Sequence, residues 1–198
     1  MAGRRSDEAA RATRVAILQR AVEVASLEGF EGITIGSLAK DLEMSKAGIL
    51  GHFHTKEQLQ LAAYGEAAAT FRALVVEPGR GEHGLARLQG YCARWATFVT
   101  NPPWPGGCIL TAASFEFDDK PGAMHDAIER GALWWRERIR EAAQEAIDAG
   151  ELPTGTDPDQ VAFTVVALAT GTVRVRQTHR DPEAGARLRR AYDALLAA

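Results

Sequence analysis

The stretch that decides the fold runs from residue 32 to residue 59 and reads GITIGSLAKDLEMSKAGILGHFHTKEQL. Thr34 is a favourable N-cap for a first short helix, and Ser45 is one for a second short helix that follows after a connection of about three residues. Thr55 opens a third helix with Gln58 in the capping-box position. Two short helices with a tight connection are typical of a helix-turn-helix, although an ordinary corner between two helices has the same spacing.

The same residues resemble the DNA-binding segment of the TetR family of one-component transcriptional regulators. The resemblance covers residues 11–60. The segments that match are Thr34 at the start of the first short helix, Ser45-Lys46 at the start of the second, His52-Phe53, and Thr55-Lys56-Glu57. It implies an all-α protein with a DNA-binding domain over residues 1–54 and a ligand-binding and dimerisation domain over residues 55–198.

The resemblance also implies which residues meet DNA. Thr34 and Lys56 would contact phosphates at helix N-termini, where free N–H groups attract anions. Lys46 has the donor to reach a guanine or a phosphate, and His52 stands where the family usually has a phosphate-contacting tyrosine. The complete set of predicted DNA contacts is Thr34, Ser45, Lys46, Ala47, Gly48, Gly51, His52 and Lys56.

Three residues depart from the family pattern. Glu43 stands where the turn usually carries glycine, so either it adopts a left-handed conformation at a cost of about 1 kcal/mol or the turn differs. Gly48 and Gly51 lie inside the second short helix, where each costs about 1 kcal/mol relative to alanine. They also remove side chains that would read bases, so the sequence predicts DNA binding without predicting an operator.

Charge and composition narrow the classes of protein that the chain can represent. The 198 residues have a formal net charge of −3, so contact with nucleic acid has to come from a local surface. Arginines near the N-terminus are placed to follow phosphates or enter a minor groove, but a solvated, frayed terminus explains them as well. These arginines are Arg4, Arg5, Arg11 and Arg14.

Two cysteines, Cys92 and Cys108, allow one disulfide at most, which is typical of a reducing compartment. No apolar run follows the N-terminal arginines, so a signal peptide is not indicated. The charge-free stretch over residues 161–173 is too short to cross a bilayer. We therefore expect a cytoplasmic protein without membrane contact.

Outside the motif the chain shows helical periodicity and no convincing strand, which predicts an all-α fold of about nine helices. The predicted segments are residues 11–28, the two short helices, 55–76, 85–100, 108–117, a long helix ending near residue 149, a helix beginning at Asp157-Pro158, and 182–196. The proline- and glycine-rich run over residues 101–107 interrupts them.

Eight of the 14 aromatic residues lie between residues 91 and 135, mostly on three successive predicted helices, and all four tryptophans are among them. Clustered aromatic side chains can line an apolar cavity, or they can fill the core of an alanine-rich bundle. The resemblance places an inducer site between these helices, so we expect a pocket for a small hydrophobic ligand. Its predicted lining is Trp95, Phe98, Trp104, Cys108, Thr111, Phe115, His125, Trp134 and Trp135.

A helical enzyme or a ligand-binding protein that uses the same apolar cavity is the alternative. The enzyme requires Cys108 as nucleophile and His125 as base within hydrogen-bond reach. The sequence holds no phosphate-binding glycine loop, zinc-protease signature or nucleophile elbow, so we expect a regulator and not an enzyme. Glu116, Asp118 and Asp119 have no recognised metal spacing, and a turn explains the two aspartates. We expect neither a metal nor a cofactor.

The helix that begins at Asp157-Pro158 is apolar on two faces, which predicts burial against its own core and against a partner. A fully buried helix in a monomer is the alternative. Because dimerisation lets a helix-turn-helix protein contact a second half-site, we expect a homodimer on a near-palindromic operator. We expect this dimer to be a repressor that a ligand releases, in preference to an activator. The predicted interface residues are Val161, Val165, Leu168, Thr172, Val175, Leu188, Ala191 and Leu195.

Overall fold

A computed structural model describes the backbone of residues 2–197 and the side chains of residues 7–197. Over this range the chain forms nine α-helices and no β-strand, which confirms the all-α prediction. The helices are α1 (Ala2–Glu28), α2 (Ile35–Asp41), α3 (Lys46–Phe53), α4 (Lys56–Phe71), α5 (Gly84–Thr100), α6 (Ile109–Glu116), α7 (Ala123–Asp148), α8 (Pro158–His179) and α9 (Ala184–Leu195). None of these helices, as far as they are described, is long and apolar enough to span a membrane.

Side-chain caps set where the short helices begin. Thr34 Oγ1 accepts a hydrogen bond from the N–H of Ser37 at 3.0 Å, and Ser45 Oγ accepts one from the N–H of Gly48 at 3.0 Å. These bonds satisfy N–H groups that have no partner inside the helix. Asp157 caps α8 in the same way. The caps at Thr34 and Ser45 lie where the sequence predicts them, and α8 begins at the predicted Asp157-Pro158.

The end of α4 differs from its prediction. The sequence predicts a helix to Val76, but α4 ends at Phe71 and a π-helix continues over Arg72–Val76. The Nε–H of Arg94 in α5 donates to the carbonyl of Val75 at 2.8 Å, within this wider turn. Arg94 also pairs with both carboxylate oxygens of Glu82, at 2.9 and 3.2 Å. The wider turn is supported by a residue distant in sequence, which local periodicity does not record.

The chain forms two compact units that differ from a simple division along the sequence. The first unit holds the residues up to Ala69 together with Trp104–Ile128, and the second holds Thr70–Pro103 together with the residues from Glu129 onward. The predicted boundary between residues 54 and 55 stays a prediction about the functional domains.

Within the first unit, α6 and the loop before it pack against α1. The backbone of Gly106 approaches α1 so closely that a Cβ there would lie 1.6 Å from the carbonyl oxygen of Ser26. The N–H of Gly106 donates to Ser26 Oγ at 3.1 Å. Only glycine allows this approach, because any side chain would overlap the backbone of α1.

Within the second unit, α5, α8 and α9 pack on one another. Tyr192 of α9 is 2% exposed and donates its hydroxyl to the carbonyl of Val165 in α8 at 3.0 Å. Gly185 brings α9 close to α5, since a Cβ there would lie 2.6 Å from Thr100 Cγ2. The core of this unit therefore depends on contacts between helices far apart in sequence.

Candidate nucleic-acid interface and effector region

The turn between α2 and α3 is a Schellman motif centred on Glu43. The N–H of Met44 donates to the carbonyl of Ala39 at 2.8 Å, and the N–H of Glu43 donates to that of Lys40 at 3.3 Å. Glu43 has φ +54°, in the left-handed region that glycine adopts at lower cost. Of the two possibilities that the sequence leaves open, Glu43 therefore takes the left-handed conformation.

The helix α3 has a buried face and an exposed face. Ile49 and Phe53 are 0% and 2% exposed and hold the helix on the core. The exposed positions of the helix are Lys46, Ala47, Leu50 and Gly51. Gly48 and His52, two of the predicted DNA contacts, are only half-exposed. Leu50 is 38% exposed and does not belong to the predicted set.

Arg14 of α1 holds the C-terminal end of α3. Its Nη1–H donates to the carbonyl of His52 at 2.7 Å, and its guanidinium lies 4.2 Å from the centroid of the Phe53 ring. A cation is favourable there because the last carbonyls of a helix lack partners and carry partial negative charge. The structure thus gives Arg14 a contact within the protein, and its place in a DNA-binding arm stays a prediction. Arg11 is exposed, and the side chains of Arg4 and Arg5 lie outside the described residues.

The predicted phosphate contacts Thr34 and Lys56 differ in their surroundings. Thr34 is exposed at the start of α2. Lys56 Nζ donates to the backbone carbonyl of Glu31 at 2.9 Å and lies 3.1 Å from its carboxylate, so a phosphate would compete with this pair. Lys46 lies beside the first turn of α2, where a Cβ on Gly36 would be 3.9 Å from the ammonium. Lys46 therefore adds positive charge to the end of α2 that carries Thr34.

The loop between α1 and α2 binds a carboxylate. The N–H groups of Phe30 and Glu31 donate to the two oxygens of Glu116 in α6, at 2.8 and 2.7 Å. Gly29 has φ +77°, and a Cβ there would lie 2.9 Å from the same carboxylate. Gln60 of α4, 6% exposed, donates to the carbonyl of Phe30 at 2.8 Å. Consecutive N–H groups at a left-handed residue form an anion-binding concavity, which here holds a side chain of the protein itself.

The aromatic residues of the second unit form a packed cluster around Phe71. The rings that meet Phe71 edge-to-face are Trp95, Phe98 and Trp135, with centroid distances of 6.2, 5.3 and 5.0 Å. Rings at these distances fill a core. Trp134, beside Trp135, is 37% exposed. Phe71 ends α4, where the helical pattern gives no sign that three other aromatic side chains surround it.

The remaining predicted pocket residues belong to the first unit. They are Trp104, Cys108, Thr111, Phe115 and His125. Phe115 is 58% exposed, whereas Trp104 and Cys108 are buried. The predicted lining is therefore divided between the two units.

A groove of about 410 Å³ opens on the second unit beside the π-helix. Its lining residues are Leu74, Ala93, Arg94, Thr97, Phe98 and Asn101. Of the predicted pocket residues only Phe98 lines it. Its volume is within the range of small-molecule sites, and its walls are mainly apolar with one guanidinium.

The catalytic pair of the enzyme hypothesis is not assembled. Burial raises the pKa of the Cys108 thiol above its ordinary value, which favours the thiol over the nucleophilic thiolate. Thr111 donates to this thiol at 3.4 Å, and His125 lies 3.6 Å from the carboxylate of Asp126. No hydrogen bond joins Cys108 to His125, both of which are among the described residues. Cys108, which is 3% exposed, is a small buried apolar group.

Part of the predicted dimer interface lies in the core of the single chain. Val161, Val165 and Leu188 are 5%, 0% and 2% exposed, so they have almost no surface to offer a second copy. The half-buried members of the predicted set are Leu168, Thr172, Val175, Ala191 and Leu195. The large exposed apolar side chain of α8 is Phe163, which is 63% exposed.

Two family models match the chain. The model described as bacterial regulatory proteins, tetR family, matches residues 17–63. The model described as tetracyclin repressor-like, C-terminal domain, matches residues 84–192, which is more than half of the chain. No curated protein shows significant sequence similarity to the chain.

Solved structures with the same fold cover nearly the whole chain. A TetR transcriptional regulator from Chloroflexus aurantiacus is 26% identical with a TM-score of 0.84, over 96% of this chain and 94% of that one. A TetR-family regulator from Cytophaga hutchinsonii is 20% identical with a TM-score of 0.82, over 95% and 94%. AibR, in complex with isovaleryl coenzyme A and operator DNA, is 19% identical with a TM-score of 0.74, over 92% and 97%.

Proposed function

The chain belongs to the TetR family of bacterial transcriptional regulators, and on this basis we propose a homodimeric repressor that a small hydrophobic molecule releases from a near-palindromic operator. The observation that carries the DNA-binding part is the outward face of α3, exposed at its N-terminal end and fixed by Ser45 at the start and Arg14 at the finish. A helix-turn-helix protein inserts this end of its second helix into the major groove.

Individual residues take different parts in the proposed complex. Lys46 donates to a guanine or a phosphate, since its ammonium lies at the exposed start of α3. The hydroxyl oxygens of Thr34 and Ser45 accept the capping hydrogen bonds from backbone N–H groups. In the proposed complex the O–H groups of the same side chains donate to phosphates. Lys56 can bind a phosphate only if its ammonium first leaves Glu31. Its contribution to DNA affinity is therefore smaller than that of Lys46.

We propose that the dimer forms through the outward face of α8. Phe163 lies on this face, and Ala167 and Gly171 follow it at helical spacing and are exposed. Ala167 and Gly171 are small enough to let a helix of the second copy approach α8 closely. The large Phe163 side chain then packs between the two helices. Phe163→Glu should give a monomer in sedimentation velocity, whereas the equally exposed Leu27→Glu on α1 should remain a dimer.

We propose that the effector binds in the second unit, in the groove beside Phe98 and Leu74. AibR, with the same fold, was solved with an acyl coenzyme A. In this chain the mainly apolar walls favour a small hydrophobic molecule. Such a molecule releases DNA only if it binds the DNA-free conformation more tightly than the DNA-bound one. A protein with this function acts where the chromosome is, in the cytoplasm, and performs no catalysis.

Fluorescence anisotropy tests the proposal directly. A duplex taken from the DNA that flanks the gene is titrated with protein at several salt concentrations and compared with a scrambled duplex. We expect selective binding, weakened in Lys46→Ala without any change in oligomeric state. Lys120→Ala, which removes an exposed lysine far along the chain, is the matched control and should bind as the wild type does. Equal affinity of Lys46→Ala and wild type would show that α3 is not the helix that reads DNA.

A further inference from the structure

The outward face of α3 lacks hydrogen-bonding side chains over its middle turns. Its exposed residues after Lys46 are Ala47, Leu50 and Gly51. Leu50 keeps 38% of its surface exposed, although it is a large apolar residue on a helix of eight residues. A Cβ on Gly51 would meet no atom within 4 Å, so the surface beside Leu50 is open.

The orientation of this face is fixed by its neighbours. Ile49 and Phe53 are buried on the opposite side, and Arg14 ties the last carbonyls of the helix to α1. Rotation of α3 to bury Leu50 would expose Ile49, which is fully buried. Leu50 is therefore held outward by the packing of the rest of the motif.

Each base pair presents donors and acceptors in the major groove, and thymine alone adds an apolar group, its C5-methyl. A leucine or an alanine has nothing to offer a donor or an acceptor but packs well on a methyl group. Since Ala47 and Leu50 are one helical turn apart on the exposed face, they can approach neighbouring base edges. The absence of a side chain at Gly51 lets this part of the helix approach the DNA closely.

We infer that Leu50, with Ala47 beside it, reads a thymine methyl group in each half-site of the operator. The inference rests on the proposed function, because it assigns sequence recognition to a face that the proposed function brings to DNA. It makes Leu50 a specificity-determining residue, whereas Lys46 supplies the polar contact one turn earlier. The operator then carries a thymine opposite the middle of α3.

Replacing thymine by deoxyuridine tests the inference, because it removes only the methyl group. The probe is a duplex selected by this protein from a randomised pool, with each thymine replaced in turn. We expect affinity to fall about fourfold at one or two positions of each half-site, the effect of one buried methyl group. Leu50→Ala should lose most of the preference for thymine over deoxyuridine at those positions, because most of the side chain that packs on the methyl group is removed. Leu133→Ala, another exposed leucine on α7, should keep the wild-type preference.

The outcomes separate the inference from the proposed function. Selective binding that no deoxyuridine changes would overturn the inference and leave the proposed function standing. A fourfold preference that persists in Leu50→Ala would also overturn it, because the methyl group would then be read by another residue. Failure to select any sequence from the pool would overturn the proposed function and the inference together.

Discussion

Glu116 accepts a 2.8 Å hydrogen bond from the backbone N–H of Phe30, although the two residues lie 86 positions apart in the chain. The second carboxylate oxygen accepts from the next N–H of the same loop. The loop that separates α1 from α2 therefore takes its conformation partly from a side chain of α6. This bond joins the start of the DNA-binding motif to a helix matched by the C-terminal family model.

We expect Glu116→Gln to lower the free energy of unfolding by about 1–2 kcal/mol, because an amide offers one acceptor oxygen to two backbone donors. Urea denaturation measures this change. Asp118→Asn removes an exposed charge two residues away and should have no effect. Equal losses in both variants would mean that net charge, and not the two hydrogen bonds, accounts for the result.

Glu43→Gly should stabilise the protein by about 0.5–1 kcal/mol, since glycine adopts a positive φ without the steric cost of a Cβ. The substitution leaves the exposed face of α3 unchanged, so operator affinity should also remain unchanged. Thermal unfolding and anisotropy measure the two properties. A lower melting temperature would show that the Glu43 side chain makes a stabilising contact that outweighs its backbone strain.

Gly51→Ala should raise the free energy of unfolding by about 1 kcal/mol, the difference in helix propensity, because the new Cβ meets no atom within 4 Å. Gly48→Ala is the matched comparison. Its Cβ would lie 3.3 Å from the side chains of Met44 and Ser45, so part of the gain should be lost. Chemical denaturation of both variants tests this order, and a larger gain for Gly48→Ala would contradict it.

Arg14→Met should weaken operator binding and lower stability by about 1–2 kcal/mol, because α3 loses a cation at its C-terminal end and a contact on Phe53. The dependence of binding on salt concentration should stay the same, since Arg14 is engaged within the protein. Arg130→Met, which removes an exposed arginine of α7, is the control for loss of charge. A reduction of the salt slope by about one in Arg14→Met would show that Arg14 contacts a phosphate.

The pKa of Glu82 lies below its ordinary value of 4.5 because Arg94 donates hydrogen bonds to its carboxylate. Such a group stabilises the fold above its unfolded pKa, and this contribution is lost as the pH falls through the folded pKa. We therefore expect wild type to be more stable than Glu82→Gln at neutral pH and the difference to shrink on acidification. Glu137→Gln, in a more exposed pair with Arg140, should show a smaller difference throughout. A difference for Glu82→Gln that is independent of pH would contradict the assignment.

Local features of the fold were predictable from sequence, and contacts between distant residues were not. Thr34 and Ser45 cap their helices through N–H groups three residues ahead, so the sequence alone contains the cap. The bond from Phe30 to Glu116 and the cluster around Phe71 depend on helices that periodicity treats one at a time. Their partners could be identified only once the helices were packed.

In the candidate site, too, some features could be predicted from sequence and others could not. A role for Lys46 could be proposed from the resemblance to the family, but the exposure of Leu50 could not be predicted, because an apolar residue on a short helix has the pattern of a core residue. On α8 the sequence showed two apolar faces, and the structure buries residues of both, Val165 on one and Ala169 on the other. The exposed Phe163 lies on neither of these faces.

The close approach of Gly106 to Ser26 has a consequence for exchanging DNA-binding modules between regulators. A chimaera joined between residues 54 and 55 would place a foreign α1 against a loop shaped for Ser26, and a foreign α1–α2 loop against Glu116. Unless the donor tolerates both contacts, such a hybrid should misfold. A functional chimaera should therefore replace two segments with those of the same donor, the DNA-binding module and residues 104–117.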